Sequence, residues 1–305
     1  MLLSSKINPD KYDRVIAVHE QIPEFALYYL FLIQLFNIKK IKKKLVLYIH
    51  SSPDENLKLK STRRAVILNR IQSFLRKFVF ELIIVNSRKI QNELNKKETP
   101  SEIIYNPLDF EYMDKAASEV DSLNDNVLDL LSKKYFLVVA KVSPVKNLQY
   151  VIESFNLVKD KIGENLIILG YVEDYVLYDK LTEYIKKNNL ERRIFFPGQQ
   201  KNPYHFMKNA TALICTSFVE SFSMAVHEAM YFRTPVVLTK FPGYKEFFSN
   251  DNSILIEYND ELPGVLESLS RMEIETISRV ENAFEYVKRY SIKNIVDDFS
   301  KLLLK

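Results

Sequence analysis

Residues 135–169 read YFLVVAKVSPVKNLQYVIESFNLVKDKIGENLIIL. Tyr135–Ala140 is a short, continuous apolar run, the pattern of a strand buried on both faces. Asn147–Lys159 predicts a helix, and Asn165–Leu169 predicts a second strand. Strand, crossover helix and strand make a βαβ unit, whose two strands run parallel. The same alternation continues in both directions. Toward the C-terminus come helix Tyr175–Asn188, strands Ile194–Phe196 and Ala212–Cys215, helix Phe222–Tyr231, and strands Pro235–Leu238 and Ser253–Ile256. The tail Glu275–Leu304 reads as helical. Toward the N-terminus lie strands Asp13–His19, Leu45–His50, Leu82–Asn86 and Glu102–Tyr105, with helices Pro23–Ile38 and Ser61–Phe80. Two such series predict an α/β chain with two parallel sheets, each flanked by helices. The polar, acidic, weakly patterned stretch Asp109–Lys134 is where the sequence places the domain boundary.

Length and composition narrow the classes. The 305 residues suit two domains, and 47% hydrophobic with 27% charged residues excludes disorder for most of the chain. A single cysteine, Cys215, excludes a disulfide framework and a multi-thiolate zinc site, and fits a reducing compartment. The five glycines all lie beyond residue 162, which excludes a P-loop or a GxGxxG fingerprint in the first half. The N-terminus MLLSSKINPD turns polar at once, unlike a signal peptide. The longest apolar run, Phe25–Phe36, is short of the roughly 20 residues that span a bilayer. A cytoplasmic protein is expected.

Charge is uneven. Residues 1–110 hold 19 Lys and Arg against 11 Asp and Glu, a net of +8; the remainder nets −4. A basic half suits phosphates, nucleic acid or an anionic membrane surface, although a solvated lysine-rich surface gives the same count. Arg63, Arg64, Arg70, Arg76 and Lys77 flank the apolar positions of Ser61–Phe80, and Lys39, Lys40 and Lys42–Lys44 follow Pro23–Ile38. These segments predict weak, salt-sensitive attachment to anionic lipid.

Candidate chemistry gathers after strands. Lys141 and Lys146 leave the carboxyl end of Tyr135–Ala140 just before a helix N-terminus, where two ammonium groups suit a diphosphate. Glu220-Ser221-Phe222-Ser223-Met224-Ala225-Val226-His227-Glu228 follows strand Ala212–Cys215 and a loop. Free N–H groups at 221–224 suit an anion or a sugar hydroxyl. His50 ends strand Leu45–His50, a cleft position, though a plain hydrogen-bonding histidine fits equally. No HExxH, Asp-x-Asp pair or His/Cys cluster occurs, and no GxSxG elbow is present, so no metal site and no serine triad are predicted.

In this combination the chain resembles the retaining glycosyltransferases of the GT-B fold, family 4. ESFSMAVHE followed by AMYFRTPVV is similar to the family's E-G-F-G-x-x-x-x-E and A-x-x-x-G-x-P-V-V. AKVSPVKN resembles G-R-L-x-x-x-K-G, and YNPLDF resembles the N-G-V-D that closes the first domain. Ala140, Asn147, Ser221, Ser223 and Arg233 stand where the family pattern has glycine, and Lys141 where it has arginine. The G-x-G after the second strand survives only as Gly170. Family members carry further elements before the strand matched by Asp13–His19, so a shortened first domain is expected.

The resemblance implies two Rossmann-like domains with parallel sheets facing a cleft. These are an incomplete acceptor-side domain over 1–115, a nucleotide-sugar-binding domain over 130–290, and a helix over 291–305 crossing back to the first. It implies a metal-independent hexosyltransferase without a cofactor, using a nucleotide-diphosphate sugar and an acceptor glycan or lipid. Lys141 and Lys146 would hold the diphosphate, Glu228 the ribose, and Glu220 the transferred sugar beside the N–H groups of Ser221, Phe222, Ser223 and Met224, with Gly170 at the donor. His50 would reach the sugar or acceptor. Lys146, Glu220 and His50 would carry catalysis. Peripheral attachment to the inner membrane face is expected, and no nucleic acid partner. The alternatives are a non-catalytic sugar-nucleotide-binding subunit needing a partner chain, and a GT-B epimerase.

Overall fold

The computed structural model describes residues 15–19, 45–50, 80–96, 98–119, 131–258, 260–272 and 276–304. Two parallel sheets organise the chain, which divides into compact units between Asn106 and Pro107. The division falls just before the stretch expected from sequence. That stretch begins with a helix, Phe110–Ser118, capped by Asp109 accepting from Tyr112 N at 3.0 Å. The expected helices Pro23–Ile38 and Ser61–Phe80, with their basic residues, lie outside the described residues.

The first unit holds β1 (Val15–His19), β2 (Leu45–Ile49), β3 (Leu82–Val85) and β4 (Glu102–Ile103), paired parallel in that order. Val46, Leu47, Ile49, Ile84 and Val85 are fully buried, as continuous apolar runs in a parallel sheet require. Helix α1 (Arg88–Asn95) starts where Ser87 accepts a hydrogen bond from Ile90 N, and it buries Ile90 and Leu94.

The second unit carries β5 (Tyr135–Val139), β6 (Asn165–Leu169), β7 (Ile194–Gly198), β8 (Ala212–Cys215), β9 (Val236–Thr239) and β10 (Ile254–Ile256). Their spatial order is β10-β9-β8-β5-β6-β7, all parallel. Read from the other edge this is the doubly wound order, which reverses direction between β5 and β8. The helices among the described residues are α2 (Phe110–Ser118), α3 (Leu148–Val158), α4 (Tyr175–Lys187), α5 (Tyr204–Asn209), α6 (Met224–Tyr231), α7 (Glu261–Ser270), α8 (Ile277–Val287) and α9 (Ile292–Leu303).

Phe136 and Val138 of β5 face a core built with α3, α4 and α7. In α3 that core takes Leu148, Val151, Ile152, Phe155 and Val158, each worth about 1.5–3 kcal/mol when buried. On α6, Val226, Ala229 and Met230 are buried, and the helix contacts β8, β9 and α8. The helical tail expected from Glu275 is two helices, broken at the 3-10 turn Lys288–Tyr290, and α9 belongs to the second unit.

Two helix starts also differ from the sequence reading. The helix expected from Asn147 is preceded by a 3-10 turn, Pro144–Lys146, and begins at Leu148, with Asn147 left-handed at φ 50°. The helix expected from Phe222 begins at Met224, after Ser223 at φ 58°. A left-handed residue cannot continue a right-handed helix, so each marks a sharp entry.

Candidate functional site

Ligands of open α/β sheets bind outside the carboxyl ends of strands, where the strand order reverses. Here that point is the crevice between β5 and β8, and a cavity of about 330 Å³ lies there. Lys141, Lys146, Glu220, Ser223 and Met224, all singled out from sequence, line it, together with Ala140, Tyr171, Cys215, Thr216 and Ser217.

The centre of the site is an ion pair. Lys146 Nζ lies 2.5 Å from Glu220 Oε1, and the side chains are only 21% and 12% exposed. The partners are 74 residues apart, brought together because β5 and β8 are neighbours. Backbone ties fix both loops: Phe218 N donates to Val145 O at 2.9 Å, and Thr216 Oγ1 donates to Lys146 O at 3.1 Å. Ser217 Oγ donates to Glu220 Oε1 at 2.7 Å, and Cys215 Sγ lies 3.9 Å from the same oxygen. Burial alone lowers the Lys146 ammonium; the Glu220 carboxylate more than offsets this and holds it above its ordinary value. Burial, reinforced by the Glu220 charge, pushes the Cys215 thiol up, so it sits as a neutral thiol.

Lys141 is at the cavity rim, where it is half exposed and paired with Glu173 at 2.7 Å. Gly170 stands where β6 passes β5. A Cβ there would meet Ala140 O at 2.0 Å, and φ is +156°, so no larger residue fits. The first N–H groups of α6, at Met224 and Ala225, have no partner within the helix and sit at the cavity wall.

The other sequence candidates lie elsewhere. The Phe222 side chain is buried, stacked on the His227 ring at 4.1 Å. Neither Ser221 nor Glu228 lines the cavity. Glu228 stands beside Tyr204 of α5, and burial raises its carboxyl to about 7. His50 belongs to the first unit, where its Nδ1 is 3.0 Å from Asn106 Oδ1 and its ring packs on Tyr48 at 4.1 Å. Three partners escaped the sequence reading. Ser217 had a local signal, its i,i+3 spacing from Glu220 across a turn. Cys215 ends β8, the position that reaches a crevice. Tyr204 had none, since only the packed fold brings it to Glu228. Among the described residues no group of three His, Cys, Asp or Glu clusters as metal ligands would.

Comparison with known proteins bears on the family and the fold. Over 206 residues the chain is 30% identical to the N-acetylgalactosamine-N,N'-diacetylbacillosaminyl-diphospho-undecaprenol 4-alpha-N-acetylgalactosaminyltransferase of Campylobacter jejuni, covering 63% of this chain and 53% of that protein. Over 235 residues it is 26% identical to an uncharacterized glycosyltransferase of Methanocaldococcus jannaschii, covering 75% and 56%. The chain thus spans about half the length of these curated relatives. The crystal structure of Anabaena Alr3699/HepE in complex with UDP-glucose matches with a TM-score of 0.78 at 19% identity, over 96% of this chain and 79% of that one. That likeness places the fold among the GT-B glycosyltransferases. Residues 124–284, just over half of the chain and the whole of the cavity, match the model of the glycosyl transferases group 1, and the chain belongs to that family.

Proposed function

We propose that the chain is a retaining glycosyltransferase that moves a hexose from a nucleotide-diphosphate sugar to an acceptor glycan or lipid, without a metal ion. One observation carries this reading: the largely buried Lys146–Glu220 pair in the crevice between β5 and β8, beside the first turn of α6. A fixed ammonium aimed at a crevice stabilises the negative charge that builds on a departing diphosphate. Lys141 at the rim adds a second cation, and the N–H groups of Met224 and Ala225 add donors with the α6 dipole behind them.

When the diphosphate arrives, Lys146 shares its charge between the phosphates and Glu220, which then turns toward the sugar hydroxyls. Glu228, outside the cavity lining, is assigned to the ribose by the family resemblance alone. The leaving phosphate takes the acceptor proton, so no protein base is needed on that face, and His50 serves the sugar or acceptor. A lipid-linked acceptor suits the basic first 110 residues and the undecaprenol-diphosphate substrate in the name of the Campylobacter relative. Attachment is then peripheral; among the described residues no helix is long and apolar enough to cross a membrane.

The test begins with melting shifts in UDP-, GDP- and ADP-sugars, since a ligand of the folded state raises Tm by mass action. Turnover of the radiolabelled hit, with loss of transfer in Glu220→Ala, is the expected result. Binding without transfer or hydrolysis would favour a sugar-nucleotide-binding subunit instead.

A further inference from the structure

We infer that His227 is a positioning residue for the donor-binding loop: its ring clamps Ser223 in a left-handed turn that the family pattern assigns to glycine. The ligand of that loop rests on the reading above; the clamp itself does not.

His227 is fully buried on α6, among Phe222, Phe247, Phe248 and Tyr290. An apolar ring would suit that box better. The imidazole leaves Nε2 buried without a hydrogen-bond partner, a cost an apolar residue avoids. Its return is at the other nitrogen. Nδ1 is 3.1 Å from Ser223 O, and since a carbonyl only accepts, Nδ1 carries the proton. Ser223 O already accepts from Val226 N at 3.1 Å and His227 N at 3.3 Å, so a third donor is not needed for satisfaction. What it adds is restraint. Ser223 sits at φ 58° and ψ 69°, a region that opposes a side chain. The same ring stacks on Phe222 at an interplanar angle of 7°, so His227 holds two of the three residues that link Glu220 to α6. The loop it fixes faces the cavity, with Ser223 Oγ 3.9 Å from Cys215 Sγ.

A residue kept only for packing and one kept to hold the turn respond differently to His227→Phe. That change preserves the ring and the stacking, removes the orphaned Nε2 and deletes the Nδ1 donor. Three measurements are made in both the Ser223 and the Ser223→Gly backgrounds: Tm, affinity for UDP, GDP and ADP, and amide hydrogen exchange over residues 221–226. With Ser223 present, His227→Phe is expected to leave Tm unchanged or higher. It should accelerate exchange over 221–226 and weaken the bound nucleotide by about fivefold, the worth of one hydrogen bond. With Ser223→Gly the same change should cost less than about twofold, because the strain the clamp opposes is gone. Unchanged exchange in His227→Phe overturns the inference, as does an affinity loss that is equal in the two backgrounds or that follows a fall in Tm. If the unsubstituted chain binds none of the three nucleotides, the donor reading fails, and the exchange comparison decides the clamp by itself.

Discussion

Replacing Lys146 by methionine isolates the central ion pair. Methionine keeps the length of the stem and removes the charge. It leaves the Glu220 carboxylate 12% exposed, held by the Ser217 hydroxyl at 2.7 Å but without its counter-ion at 2.5 Å. Exposed pairs contribute about 0–1 kcal/mol, and breaking a fully buried one costs about 3–5 kcal/mol. A pair at 21% and 12% exposure belongs between these limits, at about 2–3 kcal/mol. For a unit of this size that lowers Tm by roughly 4–10 °C. Adding Glu220→Gln should restore most of the loss, because the carboxylate that lost its counter-ion is gone. The binding signature is separate. A lost hydrogen bond to a charged group costs about 1.5–3 kcal/mol, so UDP affinity should fall at least about tenfold while uridine affinity barely moves. Calorimetric titration with the two ligands, beside urea unfolding of the single and double variants, reads both effects. Equal losses for UDP and uridine would refute a phosphate role for Lys146. Strictly additive stabilities would refute the coupling.

Gly170→Ala should destabilise by about 3 kcal/mol or more in urea unfolding, since its Cβ meets backbone 2.0 Å away, whereas Gly163→Ala, in open space, should be near neutral. Glu228 gives a pH signature. Burial raises its carboxyl from 4.5 to about 7, so the folded state holds more protons than the unfolded one in that window. Stability from this group is therefore lost as pH rises from about 4.5 to about 7, by up to about 3 kcal/mol, and Glu228→Gln should remove that slope. His227, lowered to about 4 by burial, acts oppositely below 6.5, so the Glu228 slope should be cleaner in His227→Phe. Liposome sedimentation should show anionic-lipid binding at low salt that disappears near 0.5 M, where the Debye length falls well below about 10 Å; no lipid dependence at low salt would sink the membrane reading.

The parallel strands were legible because burial on both faces leaves continuous apolar runs, as in Tyr135–Val139 and Asn165–Leu169. The order β10-β9-β8-β5-β6-β7 was not, since neighbour choice is a property of packing. Helix α2 was hidden by its composition: Glu111, Asp114 and Lys115 made Phe110–Ser118 look like a linker, although Met113, Ala116 and Ala117 are buried. It is held by contacts distant in sequence, with Phe110 stacked on Tyr231 at 4.3 Å and Tyr231 bonded to Asp114 at 2.6 Å. Within the site, Lys146 and Glu220 were legible from motif, but their direct pairing was not. Charge type and spacing place residues at strand ends; only the sheet order puts two strand ends side by side.

The glycine pattern also has a physical reading. Of the five positions where this chain departs from the family's glycine, Asn147, Ser223 and Arg233 are left-handed, with φ of 50°, 58° and 58°. A side chain in that region costs roughly 1–2 kcal/mol, which neighbouring contacts can offset. Asparagine tolerates the region best. Ser223 is held by His227, and Arg233 lies 3.6 Å over the Phe284 ring with its Nε on Glu281 at 2.7 Å. Gly170 differs in kind. Its limit is the 2.0 Å approach to Ala140 O, and no neighbouring contact relieves an overlap with backbone. Substitution at a strained φ can thus be compensated locally, while substitution at a close approach moves a strand end. Moving that end would displace Ala140 and Lys141, both in the cavity wall, so the glycine that survives beside the crevice is the one whose loss the site itself would feel.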